Sequence, residues 1–227
     1  MEDRVQMSET LPVGILLAMS GGFLDSYTYL VRGGVFANAE TGNMVLLGVS
    51  LLERKFQMAV TYLIPILCFF AGVFVAEIIR HRFQSACAIH RRQIHWRHLI
   101  LLLEAAVLAA VAYLPGEMNI FANSLVAFVC ALQVESFRKV NGNPYATTMC
   151  TGNLRSAAEN LYRYKNTKDI QMLKNALQYA AVICFFICGA AVGSVITRRF
   201  SYRSVWASIG ILALVGILMT KKKRKNS

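Results

Sequence analysis

Six long apolar stretches dominate the chain, and short polar segments separate them. An α-helix rises about 1.5 Å per residue, so crossing a hydrocarbon layer about 30 Å thick takes about 20 residues. The third and sixth stretches are shorter, and polar side chains at their ends would reach to the headgroups. The pattern predicts an all-α polytopic membrane protein, a single membrane domain over residues 1–227 with six transmembrane helices. The stretches are Leu11–Val31, Gln57–Ile79, Leu99–Leu114, Asn119–Phe137, Ala176–Thr197 and Val205–Thr220.

The charge distribution adds an orientation to this class. The 24 Lys and Arg residues outnumber the 12 Asp and Glu residues, which gives a net charge of +12. With both termini in the cytoplasm, most of the basic residues fall in cytoplasmic segments, as the positive-inside rule requires. The basic tail 221–227 is then cytoplasmic, and the basic loops would contact anionic lipid headgroups of the bilayer. Nucleic-acid binding is the rival explanation of the charge, and we exclude it because no nucleic-acid-binding motif accompanies the basic residues.

The sequence contains an internal repeat. Two of the matches are separated by 110 residues and the third by 117 residues, and all three occur in the same order. Ordered self-similarity of this kind indicates a duplicated structural unit, here residues 11–114 and 119–220. Each unit holds three crossings, an odd number, so the second unit would be inverted relative to the first, as in many secondary transporters. The matches are Asp25–Tyr27 with Glu135–Phe137, Thr41–Asn43 with Thr151–Asn153, and Phe69–Phe83 with Phe186–Phe200.

The two Thr-Gly-Asn segments decide the number of crossings. The helical stretches that begin there, Thr41–Leu52 and Thr151–Tyr162, are too short to cross alone. We expect each to be re-entrant or half-length. If both crossed instead, the chain would have two parallel four-span halves, and the basic residues would divide almost evenly between the two sides. The positive-inside rule therefore favours six crossings.

Polar residues around these segments are the candidate binding groups. Thr41 and Thr151 suit the N-cap position, where a hydroxyl accepts a hydrogen bond from a free helix amide. Two helix N-termini that face the same space would bind a small polar or anionic solute. The other candidates are two Asn residues within the short helices and two in the irregular segments before them: Asn43, Asn153, Asn38 and Asn143.

Two acids at equivalent positions of the repeat, Asp25 and Glu135, are candidate coupling groups. Carboxylates inside the membrane are costly and usually functional, and burial favours their protonated form, which suits proton coupling. The alternative is that each lies at headgroup level or pairs with a basic neighbour. That neighbour would be Arg32 for Asp25, and Arg138 or Lys139 for Glu135.

The other polar residues indicate structural contacts rather than a binding or catalytic site. Glu104 lies close to Arg97 and His98, so we expect a structural ion pair there. The four His residues fall in one basic loop, where neighbouring Arg side chains would repel a cation, so we expect no metal site. No catalytic triad, P-loop or dinucleotide fingerprint is present, so we expect neither a cofactor nor an enzyme.

The block GGFLDSYTYLVRGGVFANAETGNMVLLG, Gly21–Gly48, resembles the YoaK-like family of bacterial membrane proteins, whose domain (1275) has no assigned function. The resemblance continues through the second Thr-Gly-Asn segment and covers nearly all of the chain. It implies a six-span protein of the bacterial inner membrane, but it implies no reaction. The family motif has Gln before Thr-Gly-Asn where this chain has Glu40, so the charge of any substrate stays open.

Two classes of function remain. The first is a small secondary transporter or permease for a small polar or anionic solute, with or without proton coupling. The second is a non-transporting membrane scaffold or accessory subunit, which would have a dry, apolar centre and no cavity at the Thr-Gly-Asn segments. At 25.2 kDa the six-span bundle is small, which is also compatible with a homodimer.

Overall fold

The computed structural model describes residues 6–87 and 96–220, so the predicted basic tail 221–227 lies outside the described residues. This part of the chain is helical, apart from a short antiparallel hairpin formed by β1 (Lys139–Val140) and β2 (Asn143–Pro144). The all-α class predicted from the hydropathy pattern is therefore confirmed. The α-helices are α1 (Leu11–Val31), α2 (Glu40–Leu52), α3 (Phe56–Cys87), α4 (Trp96–Val111), α5 (Asn119–Ser136), α6 (Cys150–Thr167), α7 (Ile170–Phe200) and α8 (Val205–Thr220).

Each predicted apolar stretch corresponds to one helix: α1, α3, α4, α5, α7 or α8. The third and fourth stretches run past the ends of α4 and α5, at Val111 and Ser136. Within the described residues, three apolar helical segments are long enough to cross a membrane: Phe56–Phe83, Gly116–Ser136 and Ile170–Thr220. Helices α4 and α8 have 16 residues each, which is shorter than the roughly 20 that a crossing needs. Helix α1 has 21 residues, but Ser, Thr, Tyr and Asp side chains dilute its apolar character.

The contacts between helices follow the same pattern when the first four helices are exchanged for the last four. Helix α1 lies along α7, and α5 lies along α3. Helix α2 packs on α3 as α6 packs on α7, and α4 packs on α5 as α8 packs on α1. Exchanging the two halves converts each contact into its counterpart, which agrees with the sequence repeat.

Small residues bring the long helices into close contact. A methyl group on Gly22 of α1 would collide with the carbonyl oxygen of Phe186 in α7, and one on Gly189 with that of Met19. The next glycine of α7, Gly193, lies against Phe23, so successive residues of α7 meet successive residues of α1. The two helices therefore run in the same direction.

Helices α3 and α5 also run in the same direction. A methyl group on Gly72 would lie 2.6 Å from the carbonyl oxygen of Phe128. One turn further along both helices, Ala76 packs in a buried cluster with Leu132. The pair therefore matches α1 and α7 in direction as well as in contact.

Helices α1 and α5 run in opposite directions. The Asn123 side-chain amide, near the start of α5, donates to the carbonyl oxygen of Arg32 at the end of α1, at 2.8 Å. The Gln133 side chain, near the end of α5, donates to the carbonyl oxygen of Leu17 in the first half of α1, at 3.3 Å. These two bonds fix the antiparallel arrangement.

A buried arginine holds one end of this bundle together. The Arg32 side chain is fully buried, and its Nη2 donates to the carbonyl oxygen of Val111 at 2.7 Å, while Nη1 donates to that of Leu114 at 2.9 Å. Its Nε donates to the Tyr27 hydroxyl at 2.9 Å, and the Tyr202 ring lies over the guanidinium. Arg32 therefore supplies donors to carbonyl oxygens at the end of α4, where the Val111 carbonyl also accepts from the Leu114 N–H.

Candidate functional site

The segment between α1 and α2 folds back onto α1. Gly33 and Gly34 have positive φ angles of 91° and 74°, which reverse the chain direction after α1. The Asn38 backbone N–H then donates to Asp25 Oδ1 at 3.2 Å, and the Asn38 side chain donates to the carbonyl oxygen of Gly21 at 3.0 Å. Because Gly21 is midway along α1, this segment reaches the middle of the helix.

The segment before α6 reaches the same place from the second half. Thr148, which is 110 residues after Asn38, packs its methyl group against Gly21: an added Cβ there would lie 2.7 Å from it. The Thr148 hydroxyl also hydrogen-bonds the Cys130 thiol at 3.3 Å. Equivalent residues of the two halves therefore meet at the middle of α1. This segment is irregular, as predicted, with positive φ angles at Asn141 and Gly142.

The prediction that Thr41 and Thr151 cap the short helices is wrong. The N-cap residues are Ala39 and Met149, neither makes a side-chain capping bond, and both Thr side chains are exposed. Each helix begins one residue earlier than expected, at Glu40 or Cys150, so both Thr residues lie in the first turn with their side chains exposed.

Asn43 and Asn153 are buried, each 2% exposed, and both make local hydrogen bonds. Asn153 donates to the Ala146 carbonyl at 2.7 Å and accepts from the Ala146 N–H at 3.3 Å, so it holds the segment before α6 in place. Asn43 donates to Glu40 Oε2 at 3.1 Å. The remaining candidate amide, Asn143, donates to Asn175 Oδ1 at 3.1 Å and ties the hairpin to α7.

The second short helix is longer than predicted. Helix α6 continues to Thr167, five residues beyond the predicted end at Tyr162, because an ion pair between Glu159 and Arg163 (2.6 Å) supports its last turns. The helix ends at Lys168, which is in the left-handed conformation. Helix α6 is not among the apolar segments long enough to cross that the described residues contain.

The two equivalent acids differ in their surroundings. Glu135 forms an ion pair with Arg138, and Arg138 also pairs with Glu77 of α3. Glu135 therefore follows the alternative of a basic neighbour. Asp25 does not pair with Arg32, whose donors are occupied elsewhere, and its partner is the Asn38 backbone.

The predicted ion pair of Glu104 is also wrong. Arg97 is bound to Glu9 at 2.9 Å and to the carbonyl oxygen of Ser136 at 2.8 Å instead. The Glu104 side chain is 0% exposed, and both of its carboxyl oxygens lack a hydrogen-bond partner within the described residues. The prediction rested on the short sequence separation between Glu104 and Arg97, which is two helical turns.

The buried Cys130 thiol of α5 hydrogen-bonds the Thr148 hydroxyl. The carboxyl groups of Asp25, Glu40 and Glu104 are close enough to interact with this thiol electrostatically, and Asp25 also interacts with Cys150, the first residue of α6. The sequence assigned Glu104 to an ion pair, left the role of Glu40 open and did not place Cys130 in the site, although Glu104 is an acid inside an apolar stretch.

Two further features bear on ligands. A surface cavity of about 320 Å³ is lined by Leu114, Pro115, Tyr202 and Arg203, among others, and none of its lining residues belongs to a Thr-Gly-Asn segment. In residues 6–87 and 96–220, no three His, Cys, Asp or Glu side chains are grouped as metal ligands. His90 and His95, in the predicted His-containing loop, lie outside the described residues.

Comparisons with known proteins support the family resemblance. The family described as "Protein of unknown function (DUF1275)" matches residues 13–218. The chain is 25% identical over 213 residues to the UPF0700 transmembrane protein YoaK of Bacillus subtilis (strain 168), which covers 91% of this chain and 92% of that protein. No solved structure matches the chain. The matches and the apolar helices together support an integral membrane protein.

Proposed function

Because the chain belongs to the DUF1275 family of proteins of unknown function, its activity must be inferred from its own geometry, and we propose that it is a small secondary transporter. It would lie in the bacterial inner membrane with both termini in the cytoplasm, and move a small polar solute coupled to protons. The observation that carries the proposal is the meeting of Asn38 and Thr148 at Gly21.

Helix directions support two inverted halves with six crossings. Asp25 and Glu135 mark α1 and α5 as equivalent helices, and these helices are antiparallel. Two four-span halves in tandem would make them parallel. Since α3 runs parallel to α5, it begins at the membrane face where α1 ends, so the chain between them enters and leaves by the same face. The same reasoning applies to α6, because α7 runs parallel to α1.

Helices α2 and α6 then act as re-entrant elements that begin near the middle of the bilayer, and the polar last turns of α6 extend beyond it. Irregular backbone at that depth is tolerated only where protein buries it or where it lines a water-filled cavity. Secondary transporters place their substrate at such discontinuities, between the inverted repeats. We therefore place the substrate between the starts of α2 and α6, next to Asp25, Asn38 and Asn43.

The charges in this region refine the substrate class expected from the sequence. Asp25 and Glu40 form no ion pair with a basic residue in the part of the chain that the structure describes, and the buried Arg32 is committed to the end of α4. Carboxyl groups without a basic partner disfavour an anionic solute. A neutral or cationic polar solute fits better. The same groups count against a non-transporting scaffold, which would have a dry, apolar centre.

Flux measurements in proteoliposomes test this proposal. Vesicles loaded with the pH dye pyranine would be exposed to four groups of small solutes: sugars, amino acids, amines and carboxylates. We expect one neutral or cationic class to change the lumen pH with the wild-type protein. A lumen pH that behaves as in protein-free vesicles for every class would contradict the proposal.

The variant Asp25→Asn isolates the coupling role. The Asn oxygen still accepts the hydrogen bond from the Asn38 backbone, so only the ionisable group is lost. We expect solute-driven proton movement to be abolished. Glu135→Gln is the matched control. Because Glu135 is held in an ion pair with Arg138, we expect this variant to leave the flux unchanged. Equal flux in wild type and Asp25→Asn would exclude Asp25 from coupling.

A further inference from the structure

Glu104 is a fully buried acid without a partner among the described residues. Its side chain is 0% exposed, and neither carboxyl oxygen receives a hydrogen bond there. A carboxylate buried without a partner costs many kcal/mol, whereas a protonated carboxyl is far less costly to bury. The acid therefore needs a compensating positive species, which is either a cationic side chain or a bound proton.

The described ionisable side chains near Glu104 do not supply a cation that pairs with it. On α4 itself, Arg97 is bound to Glu9, and both ring nitrogens of His98 lack a hydrogen-bond partner. Helix α8 carries no ionisable side chain, and α5 contributes Cys130. On α3, Glu77 is paired with Arg80 and Arg138. No described cation compensates Glu104.

In the other half of the repeat, the contact between the equivalent helices, α8 and α1, is made without an acidic side chain. Ser208 of α8 hydrogen-bonds Ser20 of α1 at 2.7 Å, and both side chains are fully buried. Ser20 lies 110 residues before Cys130, so these two are equivalent positions. The contact of α8 with α1 is thus closed by a neutral pair of hydroxyls, whereas α4, the helix that matches α8, carries the unpaired Glu104.

We propose that Glu104, buried in α4, is a second proton-binding site of the transport cycle, separate from Asp25 in α1. In the state described here Glu104 holds the proton as a carboxylic acid. When the region opens to water, the O–H bond breaks and the proton passes to a water molecule, leaving the carboxylate. A proton from water on the other side restores the acid. This inference rests on the proposed transport function for its role and on burial for its chemistry.

Infrared spectroscopy of the full-length protein in lipid tests the inference at neutral pH. We expect the wild type to show the C=O band of a protonated carboxyl group, and Glu104→Gln to lose it. Glu117→Gln removes an exposed acid between α4 and α5 and should keep the band. If Glu104→Gln fails to fold, Glu104→Asp keeps the carboxyl group and should shift the band. An unchanged band in the folded Gln or Asp variant overturns the inference.

Exchange into D2O separates a proton carrier from a sealed structural acid. A site that opens to water exchanges its proton, so the wild-type band should shift in D2O. A band that never shifts would overturn the proposed role. Solute-driven flux in pyranine-loaded vesicles separates the two proposals. If the infrared band is assigned to Glu104 and shifts in D2O, but no solute drives flux, then the transport function is contradicted and the proton site is not. Flux that persists unchanged in Glu104→Gln contradicts the second proton site alone.

Discussion

Asn38 and Thr148 occupy equivalent positions in the two halves, and both contact Gly21 at the middle of α1. The Asn38 amide donates to the Gly21 carbonyl at 3.0 Å, and the Thr148 methyl group fills the space where a Gly21 side chain would be. Two irregular segments, each leading into a short helix, therefore converge on one point of the bundle. This convergence makes the region around Asp25 and Cys130 the candidate site.

The contact between α1 and α7 depends on glycine, which gives a first prediction. Gly189→Val would place side-chain atoms against the Met19 backbone, so we expect destabilisation of about 1–3 kcal/mol or more. Thermal unfolding in detergent measures this change. Gly210→Ala in α8 is the control, since a Cβ there meets nothing within 4 Å. Equal melting temperatures for the two variants would contradict the packing described here.

Arg32 gives a second prediction. Arg32→Gln removes hydrogen bonds to Val111 and Leu114 at the end of α4 and should destabilise the protein by about 2–4 kcal/mol. Tryptophan fluorescence during unfolding reports the loss, because Trp206 lies near this end of the bundle. Arg203→Gln, an exposed arginine of the same region, should be neutral. A neutral Arg32→Gln would show that the carbonyls find other partners.

The segment before α6 gives a third prediction. Asn153→Ala removes both hydrogen bonds to Ala146 and should cost about 1–3 kcal/mol in local stability. We expect faster hydrogen exchange in residues 139–149, measured by mass spectrometry. Asn160→Ala is the comparison, because Asn160 bonds only within its own helix, to the carbonyl of Ser156. Unchanged exchange in Asn153→Ala would mean that other contacts hold this segment.

The ion pair of Glu135 gives a fourth prediction, opposite in kind. Its partner Arg138 is half-exposed, so the ion pair stabilises the protein little more than hydration of the separate charges would. Glu135→Gln should change the free energy of unfolding by less than about 1 kcal/mol, as measured by denaturant titration. A larger loss would indicate that Glu135 is more than an interfacial partner.

The sequence predicted the helices well and the polar contacts poorly. The bounds of α1, Leu11–Val31, follow directly from hydropathy because a run of apolar residues is a local property. The partners of Glu104 and Arg97 do not, because Arg97 pairs with Glu9 at a separation of 88 residues. The repeat placed Asp25 and Glu135 in equivalent positions, but it could not show that only Glu135 has a basic partner.

The inverted arrangement of the halves is the claim on which the proposed function depends, and one labelling experiment tests it. Lys55 follows α2 and Lys168 follows α6, so they are equivalent turns, and both are exposed. Single cysteines at these positions, in a background with the six native Cys replaced, would be labelled with a membrane-impermeant maleimide. We predict that Lys55→Cys reacts in intact cells and Lys168→Cys only after permeabilisation. Labelling of both positions from the same side would contradict the inversion.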